Sequence, residues 1–483
     1  MTHRIKIALC LFLAAAALSL PEPAALVRAS QSPATSAEET QAPAPSPLTD
    51  TFWLARSGAA GEQVFASPAR VAAINENIRA RDPQSVNLAN YPANLPGSAV
   101  RSAILAAAAD ALDDELWTMG RPVTDGERDA ARRSLTLERL PDTAAVRRAV
   151  TLRRADLRAL PISTAWYEDD DPFQDDILQG TAVDPGEPVA VLAENDDGWC
   201  FVQTRNYRGW LPAATLAFAD DYGWALFTNP ERFLVVTASL VSVDLPENAP
   251  DSSKPPSGSV PRRQKTAPVA AGPSPAAPPL LFQMGSRLPL IKSTKKTWDV
   301  IVPTAKDGQL VPRTIPLARD EENFHEGWLP AATNTLIRQA FRFLGAPYGW
   351  GGLENSVDCS SFAADIYRTI GIELPRDADA QEAVMEPRWA LEDKGGAERY
   401  AIFSHIPPGS LLFLPGHVMM YLGLDDGGDP LVIHALSRYN AFSPDRKTIT
   451  SQPVRRVIVS GLSLPLASGR TFFEGLTAAG TMR

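Results

Sequence analysis

Cys359 is the residue of this chain whose type and position best suit covalent chemistry. It follows a glycine-rich, aromatic loop (residues 348–352) and opens a predicted helix, because apolar residues recur at helical spacing after it and Gly371 marks a helix end. A thiol at a helix N-terminus faces the positive end of the helix dipole, which lowers its pKa and favours the nucleophilic thiolate. The alternative is a buried structural cysteine, since free cysteine is among the most buried residue types.

Two histidines downstream favour catalysis. His417 begins a strand-like stretch, and His434 lies in the next one. An attacking thiol needs a base to take its proton, and the base needs a third group to orient its ring. We therefore predict His417 as the base and His434 as its orienting partner, with the Cys359 N–H and a nearby polar group holding the oxyanion. His325 and His405 are expected to be structural and surface residues. No C-x-x-C or H-E-x-x-H spacing occurs, so neither a metal nor a cofactor is predicted.

Residues 345–440 resemble the NlpC/p60 family of cell-wall cysteine peptidases, a papain-like group. The matching segments, in order, are Pro347-Tyr348-x-Trp350-Gly351-Gly352, Asp358-Cys359-Ser360-x-Phe362, Leu374-Pro375-Arg376, Gly416-His417-Val418 and Ile433-His434-Ala435. Ser361 stands where the family usually has glycine. The resemblance implies a papain-like α+β domain over 334–470, with the cysteine helix packed on an antiparallel sheet, and it supports the catalytic roles of the cysteine and both histidines.

The resemblance also implies a substrate. SH3-bearing enzymes of this family cut the bond between γ-D-glutamate and the following diamino acid, such as meso-diaminopimelate, in cell-wall peptides. Some of them demand a free N-terminal L-alanine. By family position, the residues that contact this alanine and glutamate are Tyr348, Trp350, Asp358 and Ser360.

Chemistry fits those contacts, although a structural alternative exists for two of them. The Asp358 carboxylate can pair with an ammonium, while Tyr348 and Trp350 form an aromatic wall. In the alternative, Asp358 is a helix-capping charge and Trp350 anchors the loop. An SH3 module can also close one end of the cleft; Tyr207 is our predicted contact from it, with Tyr167 as the alternative.

A seven-residue repeat organises the middle of the chain. Gly-Trp-Leu-Pro-Ala-Ala-Thr occurs at 209–215 and again at 327–333. Short strand candidates separated by turns precede the first copy, a pattern that suits a small β-barrel and resembles a bacterial SH3 domain over 156–225. We interpret 231–333 as a second, diverged SH3-like barrel, with the second copy in its last strand. The proline-rich stretch 245–279 inside it is predicted to be a disordered linker, with a ligand for another domain as the alternative.

The N-terminal part is expected to support the site rather than to react. Residues 50–155 are predicted to be mainly helical, with a helix over Ala103–Leu116 and helical patterns over Asp142–Leu160, and resemble the stabilising region of some multidomain family members. Residues 1–29 have the basic start, apolar run and small residues of a secretory signal, and 30–49 suit a flexible tether. We therefore expect an exported protein, periplasmic or secreted, with no membrane span after signal removal; retention by an uncleaved leader is the alternative.

Charge and cysteine content argue against a nucleic-acid partner and against a disulfide-based fold. The 483 residues carry a formal net charge of −10 and no basic run, so nucleic acid is not an expected partner. Outside the predicted signal only Cys200 and Cys359 remain, which excludes a disulfide scaffold. Cys200 lies in a strand-like stretch and is predicted to be structural. A disulfide between these two cysteines would disable the nucleophile, so none is expected.

Three functions compete for this sequence. We favour a cysteine endopeptidase that cleaves the γ-D-glutamyl–diamino acid bond of stem peptides and muropeptides, acting as a monomer, although the sequence leaves the oligomeric state open. A non-catalytic wall-binding or scaffold protein would suit the SH3 modules and the proline-rich insertion. A thiol N-acyl amidase or acyltransferase would keep the chemistry but change the bond. Intact Cys359, His417 and His434 favour an enzyme, and SH3 modules with export favour the peptidase.

Overall fold

The computed structural model describes residues 46–170, 175–245, 278–445 and 448–483. The predicted signal, nearly all of the predicted tether and nearly all of the proline-rich insertion lie outside these residues.

Four helices and several short strands form the N-terminal part of the described chain. The helices are α1 (Asp50–Gly61), α2 (Pro68–Arg81), α3 (Gly97–Asp113) and α4 (Asp125–Ser134). The strands between and after them are β1 (Val64–Ala66), β2 (Asn94–Pro96), β3 (Trp117–Thr118), β4 (Arg121–Pro122) and β5 (Thr143–Ala145). Helix α3 is the helix predicted over Ala103–Leu116, but it begins six residues earlier.

The helix predicted over Asp142–Leu160 is wrong. This stretch contains β5 and then β6 (Arg147–Thr151) and β7 (Ala155–Arg158). Strand β6 pairs with strands that begin at Pro188 and Leu216, so sheet pairing overrides the local helical pattern of its arginines. Strand β6 precedes residue 156, where the first SH3 domain is predicted to begin, and that boundary stays a prediction.

The first barrel is completed by the strands that follow. They are β8 (Gln179–Val183), β9 (Pro188–Glu194), β10 (Trp199–Gln203), β11 (Arg208–Pro212) and β12 (Leu216–Phe218), with helix α5 (Asp221–Thr228) after them. Its core holds Cys200, Val202 and Leu211, all buried. Strand β12 meets the next set of strands through one parallel pair, Phe218 with Gln309.

A second set of strands covers residues 233–326. These are β13 (Phe233–Val236), β14 (Leu240–Val243), β15 (Leu280–Gln283), β16 (Arg287–Ser293), β17 (Thr297–Lys306), β18 (Gln309–Ala318) and β19 (Phe324–Glu326). Strands β13 and β16 to β19 continue the sheet of the first barrel, while β14 and β15 form a separate hairpin pair. Assignment of this region as a second SH3-like domain stays a prediction.

The two copies of the repeat have different structures. Trp210 of the first copy lies in β11 and is fully buried against Phe201, with ring centroids 5.3 Å apart. Trp328 of the second copy lies outside any strand and packs edge-on against Phe233, at 4.7 Å. The strand predicted over Gly327–Leu329 is therefore wrong, and the second copy instead contains a two-residue strand at Ala331–Ala332.

The C-terminal part has the mixed α and β composition expected of its sequence. Its helices are α6 (Thr333–Arg342), α7 (Cys359–Arg368), α8 (Ala378–Val384), α9 (Gly396–Phe403) and α10 (Phe472–Gly475). Its strands are β20 (Ala331–Ala332), β21 (Arg388–Ala390), β22 (Leu411–Leu414), β23 (His417–Leu424), β24 (Pro430–Phe442), β25 (Ile449–Gly461) and β26 (Ala478–Gly480). Strands β21 to β26 form one sheet in the order β21-β26-β22-β23-β24-β25, with antiparallel pairs throughout.

Helix α7 packs on this sheet through one continuous apolar core. Phe362, Ile366 and Val418 are buried in it, together with Met420 and Ile433 from β23 and β24. The N-terminal segment joins the same core through Trp53 and a β1–β20 pair. Among the described helices, none combines the length and apolar character that a bilayer crossing requires.

Candidate active site

Cys359 is the first residue of helix α7, and the predicted helix start is confirmed. The Asp358 side chain caps the helix by accepting from the Ser361 N–H at 2.8 Å, and the Ser361 hydroxyl accepts from the Asp358 N–H at 2.9 Å. This capping box fixes the first turn. Because Cys359 is in that turn, its own N–H has no partner within the helix and is available to a ligand.

The Cys359 thiol is neutral in the resting protein. Burial raises its pKa to about 12, and the Asp358 carboxylate acts in the same direction. The backbone N–H groups of Val418 and Ser360 oppose this effect without overcoming it. The expectation that the helix dipole lowers this pKa is therefore wrong for the resting state, because loss of hydration outweighs the dipole. Both Cys359 and Cys200 are free, as expected.

The two predicted histidines are in direct contact. Strands β23 and β24 are adjacent, and His417 Nε2 lies 2.9 Å from His434 Nδ1. His434 is fully buried, and its Nε2 lies 3.1 Å from the Ser460 hydroxyl on β25. Burial lowers the pKa of His417 to about 4 and that of His434 well below its usual range, so both rings are neutral at pH 7. We call these three side chains the imidazole relay.

The Cys359 thiol contacts strand β23 at the residue that follows His417. The Val418 N–H, one residue after His417, acts on the thiol of Cys359. Since His417 uses Nε2 for His434, its Nδ1 is the nitrogen that can take a proton from a sulfur. The arrangement suits proton transfer between a neutral thiol and a neutral imidazole.

Asp358 is held by a buried network within the protein. Its Oδ2 accepts from Arg376 Nη2 at 2.5 Å and from the Gly351 N–H at 2.9 Å. Its Oδ1 accepts from the Ser360 hydroxyl at 3.2 Å as well as from the helix. Burial alone would raise the Asp358 pKa, but the Arg376 guanidinium and these donors hold it below its usual range. Asp358 therefore caps helix α7, as the structural alternative proposed. A further role of Asp358, pairing with an ammonium group of the substrate, stays a prediction.

The glycine-rich loop is positioned from two sides. Gly351 has φ of +62°, and a Cβ there would lie 2.3 Å from Gln179 Cγ of the first barrel. Gln179 Nε2 donates to the Gly351 carbonyl at 3.0 Å, while the Gly351 N–H donates to Asp358. Only glycine fits this left-handed conformation and close approach. The first barrel therefore sets the conformation of the loop that borders Cys359.

A cavity of about 610 Å³ opens onto the nucleophile. The predicted site residues that line it are Cys359, Asp358, Ser360, Trp350 and Tyr207. The first barrel contributes Tyr207 and Gln179 to its wall, and helix α3 contributes Ala107, Asp110 and Ala111. Tyr167 instead pairs through its backbone with Trp117, away from this lining. Of the two tyrosines considered, Tyr207 is the one in the cavity wall.

Tyr348 is half-buried beside the nucleophile rather than in the cavity lining. Burial raises the pKa of its hydroxyl far above the usual range, and the Asp358 carboxylate acts in the same direction. The hydroxyl therefore stays protonated and remains a hydrogen-bond donor at any pH the protein meets.

Several residues of the site were not predicted. Ser460 extends the imidazole relay, Gln179 fixes the loop, and Arg376 neutralises Asp358. Arg376 stood within a family motif but had no assigned role. Its place in the Leu374-Pro375-Arg376 motif was the sequence signal for it. Nothing in the sequence indicated that α3 would reach the cavity.

Metal binding finds no support in the described part of the chain. Among those residues, no group of three or more histidine, cysteine or acidic side chains is arranged to hold an ion. That the protein works without a metal or cofactor stays a prediction. His325 and His405 are not brought into the site: His325 Nδ1 lies 3.1 Å from the Gly327 carbonyl, and His405 is exposed.

Comparison with known families identifies two segments. Residues 345–457 match the NlpC/P60 family, and residues 166–212 match an SH3 domain of the SH3b1 type. One SH3 match is found, so tandem SH3 domains stay a prediction. The C-terminal match contains Cys359, His417 and His434.

Two characterised relatives share part of the sequence. Gamma-D-glutamyl-L-lysine dipeptidyl-peptidase of Bacillus cereus is 27% identical over 226 residues, which are 45% of this chain and 54% of that protein. Dipeptidyl-peptidase 6 of Lysinibacillus sphaericus is 29% identical over 106 residues, 22% of this chain and 33% of that protein. The chain thus spans about half of the first relative and a third of the second.

One solved structure is similar over most of the molecule. It is described as a novel NlpC/P60 endopeptidase from Photobacterium damselae subsp. piscicida, with a TM-score of 0.65 at 15% identity. The match covers 87% of this chain and 94% of that one. At this identity the likeness shows a shared fold.

Proposed function

Since the chain carries an NlpC/P60 domain at its C-terminus and an SH3 domain before it, we propose that it is a thiol peptidase acting on peptidoglycan stem peptides. The bond cleaved is that between γ-D-glutamate and the following diamino acid. The observation that carries the proposal is the position of Cys359, which begins a helix, lines a cavity and contacts strand β23 next to His417. The name of the Bacillus cereus relative supports the γ-D-glutamyl bond and adds L-lysine as a candidate diamino acid.

Proton transfer accompanies the attack in this mechanism. As the Cys359 sulfur attacks the γ-carbonyl, its proton passes to Nδ1 of His417, which becomes an imidazolium. The new cation donates its Nε2–H to His434 Nδ1, which lies 2.9 Å away, and His434 donates its own Nε2–H to Ser460. This chain of donors keeps His417 in one orientation and one tautomer. His417 then returns the proton to the leaving amine, and water hydrolyses the thioester.

Two donors are suited to the oxyanion that forms during the attack. One is the Cys359 N–H, which has no partner within α7. The other is the Tyr348 hydroxyl, which stays protonated because burial raises its pKa far above the usual range. Removing one such donor typically costs about 3 kcal/mol of transition-state stabilisation. Tyr348 is therefore our candidate for the polar group that assists the backbone.

The acyl side of the substrate occupies the cavity in this proposal. Trp350 and Tyr207 supply aromatic walls, and Ser360 and Asp358 lie at its base. The volume of about 610 Å³ lies within the usual range for small-ligand sites, about 300–1,000 Å³. A free N-terminal L-alanine would end within it. Export through residues 1–29 and action as a monomer remain parts of the proposal.

The direct test is cleavage of defined peptides. Protein lacking residues 1–29, and its Cys359→Ala variant, are incubated with L-Ala-γ-D-Glu-L-Lys and L-Ala-γ-D-Glu-meso-diaminopimelate, and products are identified by mass spectrometry. We expect release of L-Ala-γ-D-Glu by the unaltered protein alone. Equal cleavage by both proteins would overturn thiol catalysis.

The same assay separates the two rival functions. Binding of both peptides with no turnover by the unaltered protein would favour a wall-binding module. Turnover of N-acylated amino acids but not of the γ-D-glutamyl peptides would favour the amidase or acyltransferase. We favour the peptidase over both because the imidazole relay is complete and the Cys359 thiol contacts strand β23 next to His417.

A further inference from the structure

Arg455 lies in β25, the strand beside the Tyr348 loop, and its backbone conformation is unusual. Its φ of +40° falls in the left-handed region, which residues other than glycine rarely adopt. The pairing register of β24 with β25 shifts at the same place, between Leu436 and Arg438. The Arg455 carbonyl accepts from the Tyr348 N–H at 3.0 Å. The irregular backbone at Arg455 therefore joins β25 to the residue that we propose as an oxyanion donor.

The side chain of Arg455 extends to the first barrel. Its Nη2 lies 3.4 Å from Oδ1 of Asp175, which shortly precedes β8. Among the described residues, Arg455 is the cation that forms an ion pair with Asp175. Burial raises the pKa of the Asp175 carboxyl, the Arg455 guanidinium lowers it, and the Asp358 carboxylate raises it. Without Arg455, burial and Asp358 would both act against the ionised form.

Two carboxylates lie close enough to the Tyr348 hydroxyl to act on it. Burial is the main cause of its raised pKa, and the charges of Asp358 and Asp175 act in the same direction. Asp358 is paired with Arg376, and both side chains are buried. Asp175 is paired with Arg455, and the exposed fractions of these side chains are 26% and 36%. The second pair can therefore be altered without leaving a deeply buried charge unpaired.

An oxyanion that forms beside Tyr348 is repelled by any nearby carboxylate whose charge is not compensated. We propose that Arg455 is a positioning residue for the attack step, because it compensates the charge of Asp175 and so removes this repulsion. The inference rests on the proposed function, since the oxyanion forms only if Cys359 attacks a carbonyl. Arg455 is not among the described residues that line the cavity, so it acts through Asp175 and Tyr348.

The test separates compensation of charge from a structural link between two segments. Arg455→Gln removes the guanidinium and leaves the carboxylate, Asp175→Asn removes the carboxylate, and the double variant removes both charges. Arg456→Gln is the matched control, because Arg456 is the next residue of β25 and is exposed. Each protein, lacking residues 1–29, is assayed with L-Ala-γ-D-Glu-L-Lys at pH 7. Thermal unfolding of each variant confirms that it folds.

The double variant gives the decisive result. Arg455→Gln is expected to lower kcat about tenfold with little change in KM, because the repelled charge develops in the transition state. Asp175→Asn should raise kcat by up to about threefold, since it leaves a cation near the oxyanion. The double variant should recover kcat to within about threefold of the unaltered protein, and Arg456→Gln should act like the unaltered protein.

Two outcomes of this assay would overturn the proposal. A loss of kcat in the double variant as large as that in Arg455→Gln would show that the ion pair is only a structural link. Equal kcat values for Arg455→Gln and Arg456→Gln would show that the guanidinium of Arg455 has no part in turnover.

A pH series adds a measurement that a structural link would not change. In Arg455→Gln, burial and the charges of Asp358 and Glu168 all raise the Asp175 pKa. Protonation of Asp175 removes the repulsion, so the kcat deficit of this variant should shrink as pH falls from 7 to 5. The double variant has no carboxylate at this position, and its kcat relative to the unaltered protein should stay constant. An equal deficit of Arg455→Gln at both pH values would overturn the role of Asp175.

A spectroscopic measurement separates this inference from the proposed function. 3-Fluorotyrosine replaces Tyr348 in the unaltered, Arg455→Gln and double-variant backgrounds, and its fluorine NMR resonance reports the electric field at the ring without turnover. We expect a shift in Arg455→Gln that the double variant reverses. That result without peptide cleavage would overturn the peptidase and keep the compensation of Asp175. Cleavage with a constant resonance would keep the peptidase and overturn the compensation, and absence of both cleavage and shift would overturn the two together.

Discussion

Cys359 and Cys200 are alike in burial, in redox state and in the pKa of the thiol. Both are buried and free, and burial raises the pKa of each thiol to about 12. They differ in what surrounds them. Cys200 is the second residue of β10 and lies in the apolar core of the first barrel with Val202 and Leu211. Cys359 opens a helix, lines a cavity and has the imidazole relay beside it.

This comparison shows that ionisation of the resting thiol does not identify a nucleophile. Two thiols with the same pKa have different chemistry because one has a base and an entry path and the other has neither. The sulfur of Cys359 becomes a thiolate only as His417 takes its proton, so the neighbour and the approach of substrate create the reactivity. The predictions below test whether the neighbouring base and the cavity account for the different reactivity of the two thiols.

The largest effect is expected on turnover when each cysteine is changed to alanine. Cys359→Ala should lower kcat by at least about 10⁴-fold, since it removes the attacking atom. Cys200→Ala should leave kcat within about twofold, because no part of the proposed mechanism reaches β10. Peptide cleavage by both variants, with thermal unfolding as the folding check, provides the measurement. A folded Cys200→Ala protein that had lost activity would break the comparison.

Acid pH should separate the two thiols through His417. kcat/KM reports ionisation in the free enzyme, so it should fall about tenfold per pH unit below the His417 pKa of about 4. Above that value it should form a plateau through neutral pH. Alkylation of Cys359 by iodoacetamide should follow the same acid limb, whereas Cys200 should react only after unfolding, with the ordinary thiol pKa near 8.5. An activity limb near 6.5 would show that burial does not control the imidazole.

The free energy of unfolding should also depend on pH through His417 and His434. The folded-state pKa values of His417 and His434 lie below the unfolded value of about 6.5, so the unfolded chain binds more protons as pH falls. Their contribution is complete above about pH 6.5 and is lost as pH falls toward about 4. Urea unfolding at pH 7 and pH 5 measures the loss. His434→Gln provides the control, because it should reduce the difference between the two pH values.

Serine substitutions should affect stability more at Cys200 and turnover more at Cys359. Cys200→Ser buries a hydroxyl in an apolar core and should lower the free energy of unfolding by about 1–3 kcal/mol with kcat unchanged. Cys359→Ser should cost less stability, because its side chain lines a cavity, and yet should abolish most turnover. Urea unfolding and peptide cleavage of the same two preparations test both halves. Equal stability losses would mean that burial at the two sites is equivalent.

The sequence predicted this contrast well where it depended on local pattern. Capping and periodicity predicted α7 and its first residue, and alternating strands predicted a histidine pair on neighbouring strands. It failed where distant segments decide. Strand pairing made β6 and β7 from a helical pattern. The second copy of the repeat has the same letters as the first, yet its tryptophan lies outside any strand and packs on Phe233. The roles of Arg376 and Ser460, and the contribution of α3 to the cavity lining, arise from tertiary contacts that no local sequence spacing indicates.

The smallest effect is expected at the far end of the imidazole relay, where Ser460 is what distinguishes His434 from an ordinary buried histidine. Its hydroxyl lies 3.1 Å from His434 Nε2 and can accept the proton that this nitrogen carries. Ser460→Ala removes one neutral hydrogen bond, worth about 0.5–1.5 kcal/mol, so kcat should fall roughly two- to tenfold with KM unchanged. Ser460→Thr retains the hydroxyl and should restore most of the lost kcat, whereas Ser451→Ala, on the same strand but outside the relay, should have no effect.

A fall in kcat of the size expected for Cys359→Ala would instead make Ser460 an essential member of the catalytic group. No change in kcat would mean that contact with His417 alone orients His434. Ser460 would then not contribute to the environment that distinguishes Cys359 from Cys200.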